Sequence, residues 1–171
     1  KKYLNAMPPY MGGGEMIKKV SFEKSLYADL PLKFEAGTPN ICSIVTLAEA
    51  ADMCKHLINS PLGKELDNTF SFLVNSLREY KNIKIYGDFL PSESKKIPLL
   101  SFSLKNIHSE DISLLLDKMG IAVRSGTLCA QPLVQKLGTE SVIRVSLLHY
   151  NTLEEVKYFL KSLDRAINIL S

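Results

Sequence analysis

The apolar residues after position 60 recur with the period of a helix in some stretches and with that of a strand in others. Ser60 and Pro61 are typical of the start of a helix, and the apolar positions that follow share one helix face. These positions are Leu62, Leu66, Phe70, Leu73, Val74 and Leu77. Strands are predicted at residues 83–86 and 97–104, and the polar segment 91–96 between them is predicted to be a loop.

Residues 109–171 continue this interleaving of helices and strands. In chain order, the pattern predicts a helix capped by Ser109 and stopped by Gly120, a buried strand at 121–123, a short helix at 130–137 ended by Gly138, and a strand at 142–147. A capping box formed by Thr152 and Glu155 begins the terminal helix. Residues 60–171 are therefore predicted to form a compact α+β domain, with an antiparallel or mixed sheet of about four strands covered by helices.

Residues 1–59 have a different character. The prolines at 8–9 and the glycines at 12–14 exclude a helix there, and a short strand is predicted within residues 16–22. An apolar run with helical period then predicts a helix from residue 41 to about residue 59, with Asn40 as its N-cap. We interpret residues 1–59 as the edge of something larger. Because the chain begins with Lys1 rather than with methionine, we expect it to be a piece of a longer protein.

Composition argues against several classes of function. The net charge of +3 is small and no basic face is visible, which does not favour a nucleic-acid partner. No apolar run reaches the roughly 18 residues of a membrane span, and no signal peptide is visible. The histidines and cysteines are scattered, without the spacing of a metal site or of a disulfide framework. We therefore expect no metal, and a reducing compartment such as the cytoplasm, with plastid and mitochondrion left open.

Cys129 is the candidate nucleophile. It follows a turn containing Gly126 and precedes Pro132, which favours the first turn of a helix. The positive end of that helix and Arg124, five residues upstream, would both favour thiolate over thiol. The alternative is that Cys129 is a small apolar residue at a strand-to-helix corner. The local sequence leaves both interpretations open.

Arg144 lies inside an apolar strand, where a buried guanidinium needs an anionic partner. Arginine binds a carboxylate through two parallel hydrogen bonds, so a substrate carboxylate is one candidate partner. An internal salt bridge is the alternative.

Thr38 is a candidate anion ligand, because it would lie beside the positive end of the helix that begins near residue 41. A hydroxyl that serves only its local turn is the alternative. The glycines at 12–14 permit close approach of a ligand or of another backbone segment, and a flexible turn is the alternative there.

Taken together, five segments resemble the class V aminotransferase family of pyridoxal-phosphate enzymes, and more narrowly the C-terminal part of a SUF-type (group II) cysteine desulfurase. They are residues 7–14 (MPPYMGGG), 34–40 (FEAGTPN), 120–126 (GIAVRSG), 129–132 (CAQP) and 144–151 (RVSLLHYN). They follow the order and spacing of the family and cover essentially the whole chain. The resemblance implies that residues 60–171 are the C-terminal small domain of a fold-type-I transferase, and residues 1–59 an incomplete edge of its large cofactor-binding domain with a connecting helix.

The resemblance also implies roles for individual residues. Cys129 matches the nucleophile that attacks the sulfur of substrate cysteine and carries the resulting persulfide. Arg144 matches the arginine that holds the substrate carboxylate, and Arg124 matches the arginine at the opening of the active-site loop, on the substrate side. Thr38 matches a threonine that reaches across a dimer interface to the cofactor phosphate.

The family further implies that Gly13 and Gly14 line the cofactor side of the site. Its cofactor is pyridoxal 5'-phosphate, its substrate is L-cysteine and its product is L-alanine. It forms homodimers, and a SUF-type acceptor protein receives the sulfur for iron–sulfur cluster assembly.

The chain departs from the family pattern in two ways. Thr127 and Leu128 stand where many relatives carry one or two histidines, so an imidazole that could move protons near the cysteine is absent. The lysine that binds the cofactor precedes the part of the family pattern matched here, so we expect the 171 residues alone to be inactive. A selenocysteine lyase or another class V enzyme, and a non-catalytic interaction module, remain alternatives.

Overall fold

The computed structural model describes residues 1–87 and 97–171. Its residues fall into two compact units, Lys1–Cys54 and Lys55–Ser171. The loop predicted at 91–96 lies outside the described residues. The division at residue 59 concerned the domains of a longer protein, and it stays a prediction.

The first unit combines short elements with the start of a long helix. Its elements are α1 (Lys2–Ala6), β1 (Ile17–Val20), β2 (Ser25–Tyr27), a 3₁₀ turn (Leu32–Phe34) and α2 (Ile41–Ile58), whose last residues belong to the second unit. The strands β1 and β2 pair antiparallel. Asn40 caps α2 as predicted, since its Oδ1 accepts a hydrogen bond from the Ser43 amide at 3.1 Å. Within the part of the chain that the structure describes, no residue of α2 is buried.

The second unit is an antiparallel sheet with helices. Its elements are α3 (Pro61–Arg78), β3 (Ile83–Tyr86), β4 (Leu99–Leu104), α4 (Ser109–Lys118), β5 (Arg124–Gly126), α5 (Gln131–Lys136), β6 (Val142–Ser146) and α6 (Leu153–Leu170). The strand order is β3-β4-β6-β5, and every neighbouring pair is antiparallel. The predicted α+β architecture with a four-stranded sheet is therefore confirmed.

The core of the second unit lies between one face of this sheet and three helices. The strands contribute Leu100, Phe102 and Leu104 from β4, and Ile143 and Val145 from β6. Helices α3, α4 and α6 contribute Leu73, Leu77, Ile112, Leu116, Val156, Phe159 and Leu163. Because side chains alternate along a strand, Ser101 and Arg144 project from the opposite face of the sheet. That opposite face carries the candidate site.

Several element boundaries differ from the prediction. Residues 121–123 do not form a strand, because the Ile121 amide donates to the Leu116 carbonyl at 3.0 Å and so completes the end of α4. Gly120 stops α4 as predicted, with a φ of 78°. Strand β4 begins at Leu99 rather than at residue 97, since Pro98 has no amide hydrogen for the ladder.

One predicted cap lies at a different residue, and another lies at the predicted residue without a side-chain hydrogen bond to its helix. His108 caps α4 in place of Ser109, and its Nδ1 accepts from the Glu110 amide at 3.4 Å. Ser60 occupies the N-cap position of α3, but its hydroxyl donates to the Leu57 carbonyl at 2.7 Å and so caps no amide of α3. The capping box of α6 is present as predicted.

Among the helices of residues 1–87 and 97–171, none has the length and apolar character needed to cross a membrane.

Candidate active site

Strands β5 and β6 place the two candidate arginines directly opposite each other. Arg124 pairs with Arg144 in the register of these strands. Side chains at directly opposed positions have Cβ atoms about 4.5–5.5 Å apart, and two like charges in such a pair are destabilising. A bound anion would offset that repulsion. The pairing therefore marks the start of β5 as a place suited to negative charge.

This pair belongs to a row of side chains that crosses the whole sheet on the face away from the core. On the other side of Arg144 the register places Ser101, and beyond Ser101 it places Tyr86. The Tyr86 hydroxyl lies 2.9 Å from the Ser103 Oγ, within hydrogen-bond distance. Sequence reasoning missed Ser101 and Tyr86, although the alternation of serine and apolar residues in β4 indicated a polar face.

Arg144 has an unsatisfied polar atom. The residue is half-buried, and its Nε is buried without a hydrogen-bond partner among the described residues. The internal salt bridge that the sequence left open is not found in residues 1–87 and 97–171. A buried donor without a partner costs about 1–3 kcal/mol, so such an atom calls for a ligand that accepts a hydrogen bond.

The thiol of Cys129 lies on a turn with an uncommon backbone. The Ala130 amide donates to the Thr127 carbonyl at 2.9 Å, which closes a four-residue turn. Its two central residues, Leu128 and Cys129, have φ angles of 55° and 60°. Two successive positive φ angles are typical of a type I′ turn, a conformation that favours glycine and asparagine. Residues other than glycine held there cost about 1–3 kcal/mol each and cluster at functional sites.

Arg124 connects this turn to the arginine pair. Its Nη2 donates a hydrogen bond to the Cys129 Sγ at 3.7 Å. Cys129 is exposed, which does not fit the alternative of a small apolar residue packed at a corner. Gly126, with a φ of 98°, provides the sharp change of direction between β5 and the turn. Arg124 thus contacts the Cys129 sulfur through its side chain and lies opposite Arg144 in the register of β5 and β6.

The other predicted site residues belong to the first unit. A Cβ on Gly13 would lie 3.2 Å from the Ala36 Cβ, and the Gly37 amide donates to the Gly14 carbonyl at 3.1 Å. The glycine segment and the segment 34–40 therefore pack against each other, which gives Gly13 a structural role. A ligand role for Gly13 and Gly14 stays a prediction.

Thr38 is exposed at the rim of a cleft of about 770 Å³ in the first unit. Its hydroxyl makes no hydrogen bond to any residue that the structure describes, so it is able to donate to a phosphate. Asn40 already satisfies one amide at the start of α2, at Ser43. The unpaired hydroxyl of Thr38 fits the phosphate of the pyridoxal phosphate that the resemblance implies.

Comparison with known proteins gives the family. A model of the aminotransferase class-V family matches residues 1–159. The chain belongs to this family. Two members named as cysteine desulfurases, from Haloferax volcanii and Pectobacterium carotovorum, are 38% and 35% identical to it. These matches cover 95% and 98% of the chain, which spans 38% and 40% of the length of those two proteins.

Solved structures of family members have the same fold. A cysteine desulfurase from Escherichia coli, solved in an S-sulfonic acid form, matches 99% of this chain with a TM-score of 0.80 and 30% sequence identity. An apo cysteine desulfurase from Thermococcus onnurineus matches 98% with a TM-score of 0.81 and 29% identity. The chain corresponds to 41% of each of those chains.

Proposed function

We propose that these 171 residues are the C-terminal part of a SUF-type cysteine desulfurase, which converts L-cysteine to L-alanine. In this proposal Cys129 is the sulfur acceptor, Arg144 binds the substrate carboxylate, and Thr38 binds the cofactor phosphate. The observation that carries it is the convergence of an exposed thiol and two paired arginines, one of which has a buried Nε without a partner. The sequence identity of 38% and 35% to two cysteine desulfurases, over 95% and 98% of the chain, supports the proposal.

The reaction needs few groups from this chain. Pyridoxal phosphate, when bound, withdraws electrons from the substrate α-carbon. Arg144 orients the substrate by its carboxylate, which directs the substrate sulfur toward Cys129. A bond then forms between the Cys129 Sγ and the substrate sulfur, and the carbon–sulfur bond breaks. The electron pair of the broken carbon–sulfur bond stays on the substrate carbon, which takes up a proton. Alanine then leaves, and a persulfide remains on Cys129.

The persulfide is the form in which sulfur would leave the site. Cys129 is exposed on a short turn, so an acceptor protein can reach the outer sulfur atom without opening of the sheet. We propose a SUF-type acceptor, iron–sulfur cluster assembly as the destination of the sulfur, and a homodimer as the active form.

The direct test uses the full-length protein and the variants Cys129→Ala and Cys129→Ser. We expect both variants to lose at least about 100-fold in sulfide and alanine release from L-cysteine, because each lacks the nucleophilic thiol. Cys42→Ser is the matched control, since Cys42 is also an exposed free thiol. Unchanged release of alanine by the Cys129 variants would contradict the proposal.

The same preparation separates the alternative activities. If turnover of selenocysteine persists in Cys129→Ala while turnover of cysteine is lost, the protein also acts as a selenocysteine lyase. If neither substrate reacts with the wild-type protein loaded with cofactor, an interaction module is the better interpretation.

We also propose that the isolated 171 residues do not hold the cofactor, because the lysine of the family motif is not among them. Pyridoxal phosphate should separate from this chain in gel filtration and remain with the full-length protein. Retention of one cofactor per isolated chain would contradict this expectation.

A further inference from the structure

We infer that the two paired arginines have different roles in the site. Arg124 is a positioning residue for the sulfur of Cys129, and Arg144 is the group that binds the substrate carboxylate. This inference rests on the proposed function and deepens it, since the family resemblance placed both arginines on the substrate side. It changes the role of Arg124 from a ligand of the substrate to a partner of the nucleophile.

The first observation is the hydrogen bond from Arg124. Its Nη2 lies 3.7 Å from the Cys129 Sγ, within the range for a bond to sulfur. Arg124 is exposed at the start of β5, and Cys129 is five residues further along the same connection. A guanidinium at this distance stabilises a sulfur that carries negative charge, whether as thiolate or as the terminal sulfur of a persulfide.

The second observation concerns Arg144 and is independent of the cysteine. Arg144 lies in an interior strand of the sheet, between β4 and β5, and its backbone is fixed on both sides by the register. Its Nε is buried and without a partner in the described chain. A rigidly held guanidinium with an unused donor is suited to the two-point binding of a carboxylate.

The pairing of the two arginines explains why they should differ in role. Opposed guanidinium groups repel each other unless each has a negative partner. Arg124 has the sulfur of Cys129 within reach, whereas no described group is hydrogen-bonded to the Nε of Arg144. Substrate carboxylate at Arg144 and thiolate at Arg124 would satisfy both groups at once. The carboxylate would then be held by β6 and the nucleophile by the turn that follows β5.

The test is alkylation of Cys129 in the full-length protein, followed by peptide mass mapping so that Cys42 and Cys54 are counted separately. Two reagents are used, neutral iodoacetamide and anionic iodoacetate. In each reaction the thiolate displaces iodide and forms a carbon–sulfur bond. Because both reagents need the same thiolate, the ratio of their rates cancels the thiolate population and reports on how well the site receives the carboxylate.

We expect Arg124→Gln to slow the reaction of iodoacetamide at neutral pH about threefold, since the reacting sulfur loses the charged hydrogen-bond donor that lies 3.7 Å from it. The ratio of iodoacetate to iodoacetamide rates should stay within about twofold. Arg124→Lys, which keeps the positive charge, should recover most of the iodoacetamide rate.

Arg144→Gln should give the opposite pattern. The iodoacetamide rate should stay within about twofold of the wild-type rate, while the iodoacetate-to-iodoacetamide ratio falls about fivefold or more, because the carboxylate loses a charged hydrogen-bond partner. In turnover of L-cysteine, Arg144→Gln should raise KM roughly tenfold or more, and Arg124→Gln should lower kcat with little change in KM. Arg165→Gln, an exposed arginine on α6, is the control for the loss of one positive charge.

The division of roles is overturned if Arg124→Gln leaves the iodoacetamide rate unchanged, or if Arg144→Gln leaves the iodoacetate-to-iodoacetamide ratio unchanged. It is also overturned if the two variants change these rates in the same way. Alkylation needs no turnover, so this test gives a result even if the protein does not act on cysteine. A protein that releases alanine but shows the reversed alkylation pattern would refute the division and leave the proposed function standing.

Discussion

Leu128 and Cys129 carry the most unusual backbone of the site, since both are held in the left-handed region. The hydrogen bond between Ala130 and Thr127 closes the turn around them, and the bond from Arg124 to the sulfur joins the turn to β5. These two local hydrogen bonds hold the turn in a shape that its own residues disfavour.

At this scale, replacing Leu128 by asparagine should stabilise the protein by about 1 kcal/mol, because asparagine adopts a positive φ more readily than leucine does. Urea denaturation gives the free energy of unfolding. Leu128→Ala is the matched control, because alanine shortens the side chain and keeps the unfavourable φ. An asparagine variant no more stable than the alanine variant would show that the turn is not strained at this position.

Helix α6 shows how the start of a helix is fixed by hydrogen bonds between residues close together in the sequence. The Thr152 Oγ1 accepts from the Glu155 amide at 3.2 Å, and the Glu155 carboxylate accepts from the Thr152 amide at 2.8 Å. This reciprocal pair satisfies two amides at the start of the helix, whose inner face packs into the core through Val156, Phe159 and Leu163.

Thr152→Ala should therefore lower the free energy of unfolding by about 1 kcal/mol, and Thr152→Ser should recover most of it. Thermal unfolding monitored by circular dichroism measures both variants. Equal stability of the alanine and serine variants would mean that the cap contributes nothing.

The capping box also predicts a dependence on pH. The hydrogen bond from the Thr152 amide, helped by the Asn151 side chain, lowers the pKa of Glu155 below its ordinary value. A lowered carboxyl pKa stabilises the fold above the unfolded value of about 4.3, and this stabilisation is lost as the pH falls through the lower folded pKa. The stability difference between wild type and Glu155→Gln should therefore favour the wild type at neutral pH and disappear in acid. A difference independent of pH would contradict this assignment.

For the molecule as a whole, the second unit depends on one core shared by the sheet and the helices α3, α4 and α6. Leu116 lies at the centre of this core on α4 and is fully buried. Two residues earlier on the same helix, Leu114 is 60% exposed. The two leucines allow the effect of burial to be separated from that of helix propensity.

Leu116→Ala should lower the free energy of unfolding by about 2–5 kcal/mol, through lost burial and the cavity left behind. Leu114→Ala should change it by no more than about 0.5 kcal/mol. Denaturant unfolding of both variants measures the contrast. Similar losses in the two variants would mean that α4 does not pack as the structure has it.

Much of the architecture follows from short-range signals. The apolar spacing of α3, the N-cap at Asn40, the stop at Gly120 and the capping box at Thr152 each depend on residues a few positions apart. One prediction failed because the end of a helix took the hydrogen bond. That prediction concerned Ile121, whose amide completes α4 and does not enter a strand.

The first unit shows a different limit. Periodicity predicted the helix α2 correctly, but the apolar pattern of a helix does not show which other residues pack against its apolar side chains. Within the described residues, none of its side chains is buried, and Ile44 and Val45 are 58% and 60% exposed.

The sequence by itself determined the order of helices and strands, the family, and the residue types that could do the chemistry. Only the tertiary structure decided that Arg124 lies opposite Arg144 and that Arg144 lies opposite Ser101. The physical reason is the separation along the chain between the residues that determine each feature. Periods and caps depend on neighbours along the chain, whereas the register of β6 against β5 joins residues about twenty positions apart and is fixed by packing of the whole sheet.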